Sequence, residues 1–420
     1  MTAVVSGATS DRVADRRSGA LTGRVSDPTS APDGGCGDDP DPDESAILPR
    51  LARSRVALPD GRRVGVAVAG RGVPLVVVHG FGAEGVLYAQ TLSRLVGSGF
   101  MVVAVDSPGH GATDPLGTRA RLEDYVADLE RVLSELGIRR AVLVGHSMGG
   151  RLVADLAAAR PDLAVGVILV DPIMGDTWDR MNTAFRVAPV AYGALGAALV
   201  LDTVSTLPLL SDPRQALKLA RLVLPTGVGH VRRPWRLVGP LASILFASPS
   251  SRALEELRLQ EVPVTVVHGD NDLLVPVCSA LSAATRAGGE LVVVHGARHS
   301  WMLRDPETFP AIVGELLVGR LGEAIDRARR AAAPSDHPGH ADHPGPAGRS
   351  GPADRSGGTG RSGADVTAWC APGALVLELA AAPTDQAPRG PRRAGRGPRF
   401  RWTRSEAPHP VSQGNHRPRC

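Results

Sequence analysis

Six short apolar runs recur through the middle of the chain, with none of the polar alternation of a half-exposed strand. They are "PLVVVHG" (74–80), "FMVVAVD" (100–106), "AVLVG" (141–145), "VGVILVD" (165–171), "VPVTVVHG" (262–269) and "ELVVVHG" (290–296). Continuous apolar runs of this length predict strands covered on both faces. Helical spacing separates them, most clearly over 121–136, where Leu122, Val126, Leu129, Leu133 and Leu136 share one face. Strands alternating with helices predict an α/β fold, a mostly parallel sheet with helices on both sides. "RVALPDGRRVGVAV" (55–68) precedes them and reads as a hairpin turning at Pro59-Asp60-Gly61. The alternation breaks over 173–251, which is helical and apolar with no good strand. That stretch predicts an inserted helical cap. Residues 1–48 and 331–420 are rich in Gly, Pro, Ser, Asp and Arg and lack an apolar period. They are expected to be a disordered arm and a disordered tail, the latter interrupted by an apolar island, "GALVLELAA" (373–381). The expected folded unit is 49–330, with its core in 49–172 and 252–330.

"LVGHSMGG" (143–150) sets a serine among glycines directly after an apolar run. Serine and glycine are poor strand residues, and a glycine pair starts a helix badly. Gly145-His146-Ser147-Met148-Gly149 fits the G-x-S-x-G nucleophile elbow, a sharp strand-to-helix turn that lifts a serine hydroxyl above the sheet. Only small side chains fit two residues either side of such a turn, which Gly145 and Gly149 supply. A serine hydroxyl is a weak nucleophile and needs a base, and the base needs an orienting acid. Both belong at the C-terminal ends of later strands. "HGDNDLLVP" (268–276) offers Asp270 and Asp272, and "HGARHSW" (295–301) offers His295 and His299. The chain order Ser, Asp, His is the one expected for an elbow of this kind.

Segment 49–330 resembles the α/β-hydrolase family, in the capped branch that includes esterases and carbon–carbon bond hydrolases. "VVVHGFG" (76–82) is similar to its oxyanion turn, "DSPGHGATD" (106–114) to its D-x-P-G-x-G-x-S/T loop, and "GHSMGG" (145–150) to its elbow. "GDNDLLVP" (269–276) resembles its acid motif, and "HSWMLRDPETF" (299–309) its histidine motif. The resemblance selects Asp272 over Asp270 and His299 over His295. Asp171 ends an earlier strand where some relatives place their acid. Arg298 departs from the small residue usual before the histidine.

The resemblance implies a serine hydrolase acting on a carboxylic ester of a small apolar substrate through an acyl-enzyme. Ser147 would attack, His299 would accept its proton and Asp272 would hold the imidazole. The backbone N–H groups of Met148 and Phe81 would form the oxyanion hole. Carbon–carbon bond hydrolysis, thioester hydrolysis and acyl transfer need the same triad and stay open. A slow-turnover binding protein, a receptor or regulator, is the reading of another class. The serine at the elbow excludes epoxide hydrolases and haloalkane dehalogenases, which place an aspartate there. Trp178, Met181, Phe185, Tyr192, Trp235 and Phe246 fall in the cap; most are expected to pack between its helices and a few to face substrate. "GHVRRPWR" (229–236) carries three arginines, expected on a solvated face.

Composition changes little of this. A net charge of +4 over 420 residues is too slight to argue for nucleic acid. No run of about 18 uncharged apolar residues exists, the nearest being "VAPVAYGALGAALVL" (187–201), so no stable membrane insertion is expected. No basic region followed by an apolar one marks a signal peptide at the N-terminus. The four cysteines are scattered and match no zinc or disulfide spacing, Cys278 reads as a spectator thiol, and a cytoplasmic location is expected. No metal or cofactor is expected. His337, His340 and His343 in the tail, and the arginines of 389–404, are read as parts of a disordered end.

Overall fold

A computed structural model describes residues 3–5, 51–188, 190–205, 213–332, 368–381 and 400–407. Strands β1 (Ala3–Val5), β2 (Ala52–Ala57), β3 (Arg63–Ala69) and β4 (Val73–Val78) lead to helix α1 (Ala89–Gly97) and β5 (Phe100–Val105). Helix α2 (Leu122–Glu135), β6 (Ala141–His146), α3 (Met148–Ala159) and β7 (Ala164–Val170) follow. Next come four helices, α4 (Asp176–Val187), α5 (Val190–Ser205), α6 (Pro213–Arg232) and α7 (Val238–Leu245). The alternation resumes with α8 (Ser251–Leu259), β8 (Val264–Gly269), α9 (Val277–Ala287) and β9 (Glu290–Val294). Helices α10 (Trp301–Arg304), α11 (Thr308–Leu316), α12 (Arg320–Ala332) and α13 (Leu375–Ala381) precede β10 (Trp402–Glu406).

The strands form one sheet in the order β1-β10-β9-β8-β7-β6-β4-β5-β3-β2. From β5 to β9 every pairing is parallel, and the pairs at both edges are antiparallel. Every residue of β4 to β8 is buried, as continuous Val/Leu/Ile/Ala runs require when helices cover both faces. Helices α2, α3, α8 and α9 touch one another in series to form one layer, and α1, α11 and α12 form the other. Helix α2 explains its own burial. Leu122, Tyr125, Leu129, Val132 and Leu133 recur at helical spacing and are buried, while Glu123 and Asp124 sit in its first turn, where the helix dipole favours acid.

The expectation of two disordered ends is corrected where the structure describes them. Trp369, Cys370 and Val376 are almost wholly buried. The Trp369 carbonyl accepts from the N–H groups of Arg139 (2.7 Å) and Arg140 (3.1 Å), and the Gly137 carbonyl accepts from Ala371 (2.7 Å). Strand β10 pairs with β9 from Trp402↔Val294 to Glu406↔Glu290, and β1 pairs outside it. The physical reason is the exposed β9 edge, a row of unpaired backbone groups that a short segment can cover even without apolar alternation. The Arg404 guanidinium donates to Glu290 at 2.8 and 3.1 Å, and the Trp402 indole to Glu315 at 3.1 Å. The rest of both ends, with His337, His340, His343, Cys36 and Cys420, lies outside the described residues. Cys278 is half-buried and disulfide-bonded, which corrects its reading as a free thiol.

Candidate active site

The turn between β6 and α3 holds Ser147 at φ 53° and ψ −114°, a conformation L-residues rarely adopt. It is pinned from several sides. Ser147 N–H donates to the Val170 carbonyl (2.9 Å), and its carbonyl accepts from Arg151 and Ile173 (both 3.3 Å). The glycines make the turn possible. A Cβ on Gly145 would lie 2.2 Å from the Gly149 carbonyl oxygen, and one on Gly149 would lie 2.2 Å from that of Val78. Met148 opens α3, so its N–H has no intrahelical acceptor. Gly80, beside Phe81, comes so near the turn that a Cβ there would lie 3.0 Å from Ser147 Cβ.

Of the paired candidates, the structure joins Asp272 to His299 and Asp270 to His295. His299 Nδ1–H donates to Asp272 Oδ2 at 2.7 Å, with both side chains almost wholly buried. The other Asp272 oxygen accepts from the N–H groups of Leu274 (2.7 Å) and Val275 (3.0 Å). Asp270 instead accepts from His295 (3.0 Å) and Gly296 N–H (2.6 Å) at a more exposed position. The His299 loop is tied to the serine turn. His146 Nε2–H donates to the His299 carbonyl at 2.9 Å, and the two rings lie 4.8 Å apart. Tyr88 O–H donates to His146 Nδ1 at 2.9 Å, which fixes that ring's tautomer. Arg298 is exposed beside this loop.

Burial and charge separate the histidines. Burial disfavours the His299 cation, but the Asp272 charge and hydrogen bond outweigh it, and its pKa rises to about 9. Burial, then the His299 charge, pushes His146 down to about 3. Burial also lowers His79, His110 and His268. Burial opposes the Asp272 charge, yet His299 dominates and holds this carboxyl below its ordinary range. Asp171 goes the other way: burial first, then the Asp272 charge, push it well above the carboxylate range.

Three further acids support the site, of which only Asp202 went unread in the sequence. Asp202, on α5, is fully buried and accepts from the N–H groups of His299 (3.2 Å) and Ser300 (2.9 Å). Its signal was a lone acid inside the apolar run "GALGAALVLDTVS" (193–205). Asp171, at φ 44°, accepts from Gly269 N–H and the Trp301 indole, each at 2.8 Å. Asp106 accepts from the N–H groups of Gly85 (2.8 Å) and Ala112 (3.0 Å) and anchors the 106–114 loop. Asp171, His268 and Asp272 offer ligand atoms within 4.8 Å of one another. Their oxygens already accept N–H groups and His268 Nε2–H donates to the Val275 carbonyl (2.9 Å), so this cluster is knit internally rather than open to an ion.

Helices α4 to α7 reach the same end of the sheet. Besides Asp202, His230 Nε2–H donates to the Gly82 carbonyl at 3.1 Å, and Arg236 donates to the Thr113 carbonyl. Trp178 is buried, whereas Trp235 and Phe246 are exposed, so neither of the latter is packed between helices as expected. Among the described residues no helix is long and apolar enough to cross a membrane.

A family model described as alpha/beta hydrolase fold matches residues 73–306, more than half of the chain. A "Putative non-heme haloperoxidase" of Mycobacterium phage D29 is 33% identical over 265 residues, covering 61% of this chain and 92% of that protein. A "Non-heme haloperoxidase" of Rhodococcus erythropolis is 28% identical, covering 61% and 96%. Among solved structures, a carboxylesterase of Nitrososphaera gargenis matches with a TM-score of 0.51 at 21% identity, covering 65% of this chain and all of that one. An esterase of Rhodococcus sp. ECU1013 matches with a TM-score of 0.50 at 23% identity, covering 64% and 99%. At these identities the structural matches speak to the fold.

Proposed function

The chain belongs to the α/β-hydrolase family and is a hydrolase of that fold; on this footing we propose that it is a serine hydrolase cleaving a carboxylic ester of a small apolar substrate. The observation that carries the reading is the buried 2.7 Å bond from His299 to Asp272, held against the turn that strains Ser147 to φ 53°. Ser147 Oγ attacks the acyl carbonyl and His299 Nε2 takes its proton. Asp272 keeps Nδ1 protonated, so that Nε2 is the basic nitrogen, and it stabilises the imidazolium that forms. The N–H groups of Met148 and Phe81 receive the oxyanion, each worth about 3–4 kcal/mol of barrier. The tetrahedral intermediate collapses, the alcohol leaves with the His299 proton, and an acyl-Ser147 ester remains. Water, deprotonated by His299, then releases the acid and restores the serine. His146 stays neutral beside His299, so no second fixed cation opposes the imidazolium. The apolar side chains of Phe81 and Met148 line the acyl site, and helices α4 to α7 act as the cap over it.

The test is turnover of a p-nitrophenyl ester series, acetate to decanoate, by the wild type and Ser147→Ala. Turnover present in the wild type and lost in the variant is expected, with a chain-length optimum that sizes the acyl site. A folded wild type inert on every ester, or a variant as active as the wild type, overturns the reading.

A further inference from the structure

One cleft, which no residue of the serine turn lines, is rich in arginine. Its volume is about 540 Å³. Arg53 and Arg55, two apart on the edge strand β2 and so on one face, form one wall. His230, Arg232, Arg233 and Arg236, from the end of α6 and the turn after it, form the other. The floor is Gly109, Gly111 and Ala112 of the loop anchored by Asp106.

Two acids answer this charge only in part. Glu84 lines the cleft and pairs with Arg53 at 2.5 Å; Asp106 is buried and lies 3.2 Å from the same guanidinium. Glu84 also accepts from Thr226. Arg236 donates to a carbonyl and keeps its charge. The guanidinium groups of Arg55, Arg232 and Arg233 have no ion pair or hydrogen bond among the described residues. Exposed arginines normally scatter over a convex surface, where repulsion is least. Here uncompensated guanidinium groups converge from two separate elements onto a concavity far larger than one phosphate. Arg232 and Arg233 are exposed, as expected of a solvated face, and they also line this cleft.

We propose that this cleft is a second binding site, for a diphosphate group such as that of a nucleoside diphosphate. Guanidinium groups present paired N–H donors that match phosphate oxygens two at a time, and groups arriving from two separate elements suit an anion with more than one charged group. The site stands apart from the proposed triad and does not depend on it. Its floor and wall nevertheless reach the proposed oxyanion turn: Gly82 N–H donates to His110 (3.1 Å) and the Gly82 carbonyl accepts from His230 (3.1 Å). His230, which lines the cleft, thus contacts the residue that follows Phe81.

Calorimetric titration of the full chain with pyrophosphate, ADP and citrate tests this, comparing the wild type with Arg55→Ala and with Arg232→Ala/Arg233→Ala. The two variants remove charge from opposite walls, and matching melting curves control for folding. Saturable binding of pyrophosphate and ADP is expected, weakened about tenfold or more in each variant. Both variants keep every arginine of the chain's end, so binding there would be unchanged between them and the wild type. Such unchanged affinity, the lack of saturable pyrophosphate binding, or citrate binding as tightly as pyrophosphate would overturn the proposal. Because binding is read directly, an inactive Ser147 leaves the result interpretable.

Discussion

Asp171 Oδ1 and His268 Nδ1 face each other at 3.5 Å, with both side chains fully buried beneath the proposed triad. His268 Nε2–H donates to the Val275 carbonyl, so Nδ1 carries a lone pair, and no hydrogen bond satisfies that atom. A carboxylate beside a bare lone pair is repulsive. A protonated Asp171, favoured by burial and by the Asp272 charge, supplies the missing donor. Asp171→Asn, which keeps a donor, is expected to cost under about 1.5 kcal/mol of stability, and Asp171→Ala roughly 2–4 kcal/mol. A carboxyl raised above its unfolded value stabilises most at acid pH and loses that contribution as pH climbs through its folded value. The gap between wild type and Asp171→Asn should therefore narrow as pH rises. Denaturant unfolding across pH checks this, and an asparagine variant less stable than the alanine one contradicts it.

His299 must be neutral to act as base, and its pKa is raised to about 9 by Asp272 against the opposing effect of burial. Ester turnover should therefore climb with pH on the alkaline side of the ordinary histidine value. Asp272→Asn should move that limb to lower pH while cutting the rate by about 10³–10⁴. The same raised value stabilises the fold fully below about pH 6.5 and ceases to do so as pH passes about 9. A kcat/KM profile whose limb is unmoved in the variant would separate it from this pair.

Ser147 occupies positive φ, which a glycine adopts freely. Ser147→Gly should abolish turnover while raising stability by about 0.5–1 kcal/mol, the signature of strain held at a working residue. Thermal unfolding of the two proteins measures the difference; a less stable glycine variant would mean the turn is not strained.

Gly149 admits no side chain, since a Cβ there would lie 2.2 Å from the Val78 carbonyl oxygen. Gly149→Ala should push β4 and α3 apart, destabilise by about 2–4 kcal/mol and remove turnover with it. An alanine variant of wild-type stability and rate would refute that close approach.

Trp402 is buried and its indole donates to Glu315. Trp402→Ala should lower stability by about 3–5 kcal/mol. Ending the chain at 332 should cost more, since it also removes Trp369 and Val376 from the core. Chemical denaturation of the shortened and full chains decides this, and equal midpoints would return these residues to the status of dispensable ends.

Much of the fold was legible because its signals are local. A parallel strand covered on both faces must be apolar throughout, so "PLVVVHG" and "VGVILVD" announce themselves. The serine turn is local too, because the close approach of Gly145 and Gly149 restricts residue type at fixed spacing. Asp202 was illegible for the opposite reason: it lies some hundred positions before the His299 and Ser300 amides it receives, and no spacing rule links them. Trp402 and Arg404 were missed because a five-residue edge strand in an Arg-rich stretch carries no period, and its stability comes from the β9 edge it finds.

Sequence by itself determined the alternation of strands and helices within 49–330, the serine turn and a short choice of acids and bases, since each rests on residues adjacent along the chain. Motif register already selected Asp272 and His299; only the tertiary structure decided that Asp270 meets His295, that Asp171 lies against His268, that Asp202 holds the His299 amide, and that arginines from β2 and α6 converge on one cleft. Those pairings join residues far apart in the chain, and burial and electrostatics act on them through space.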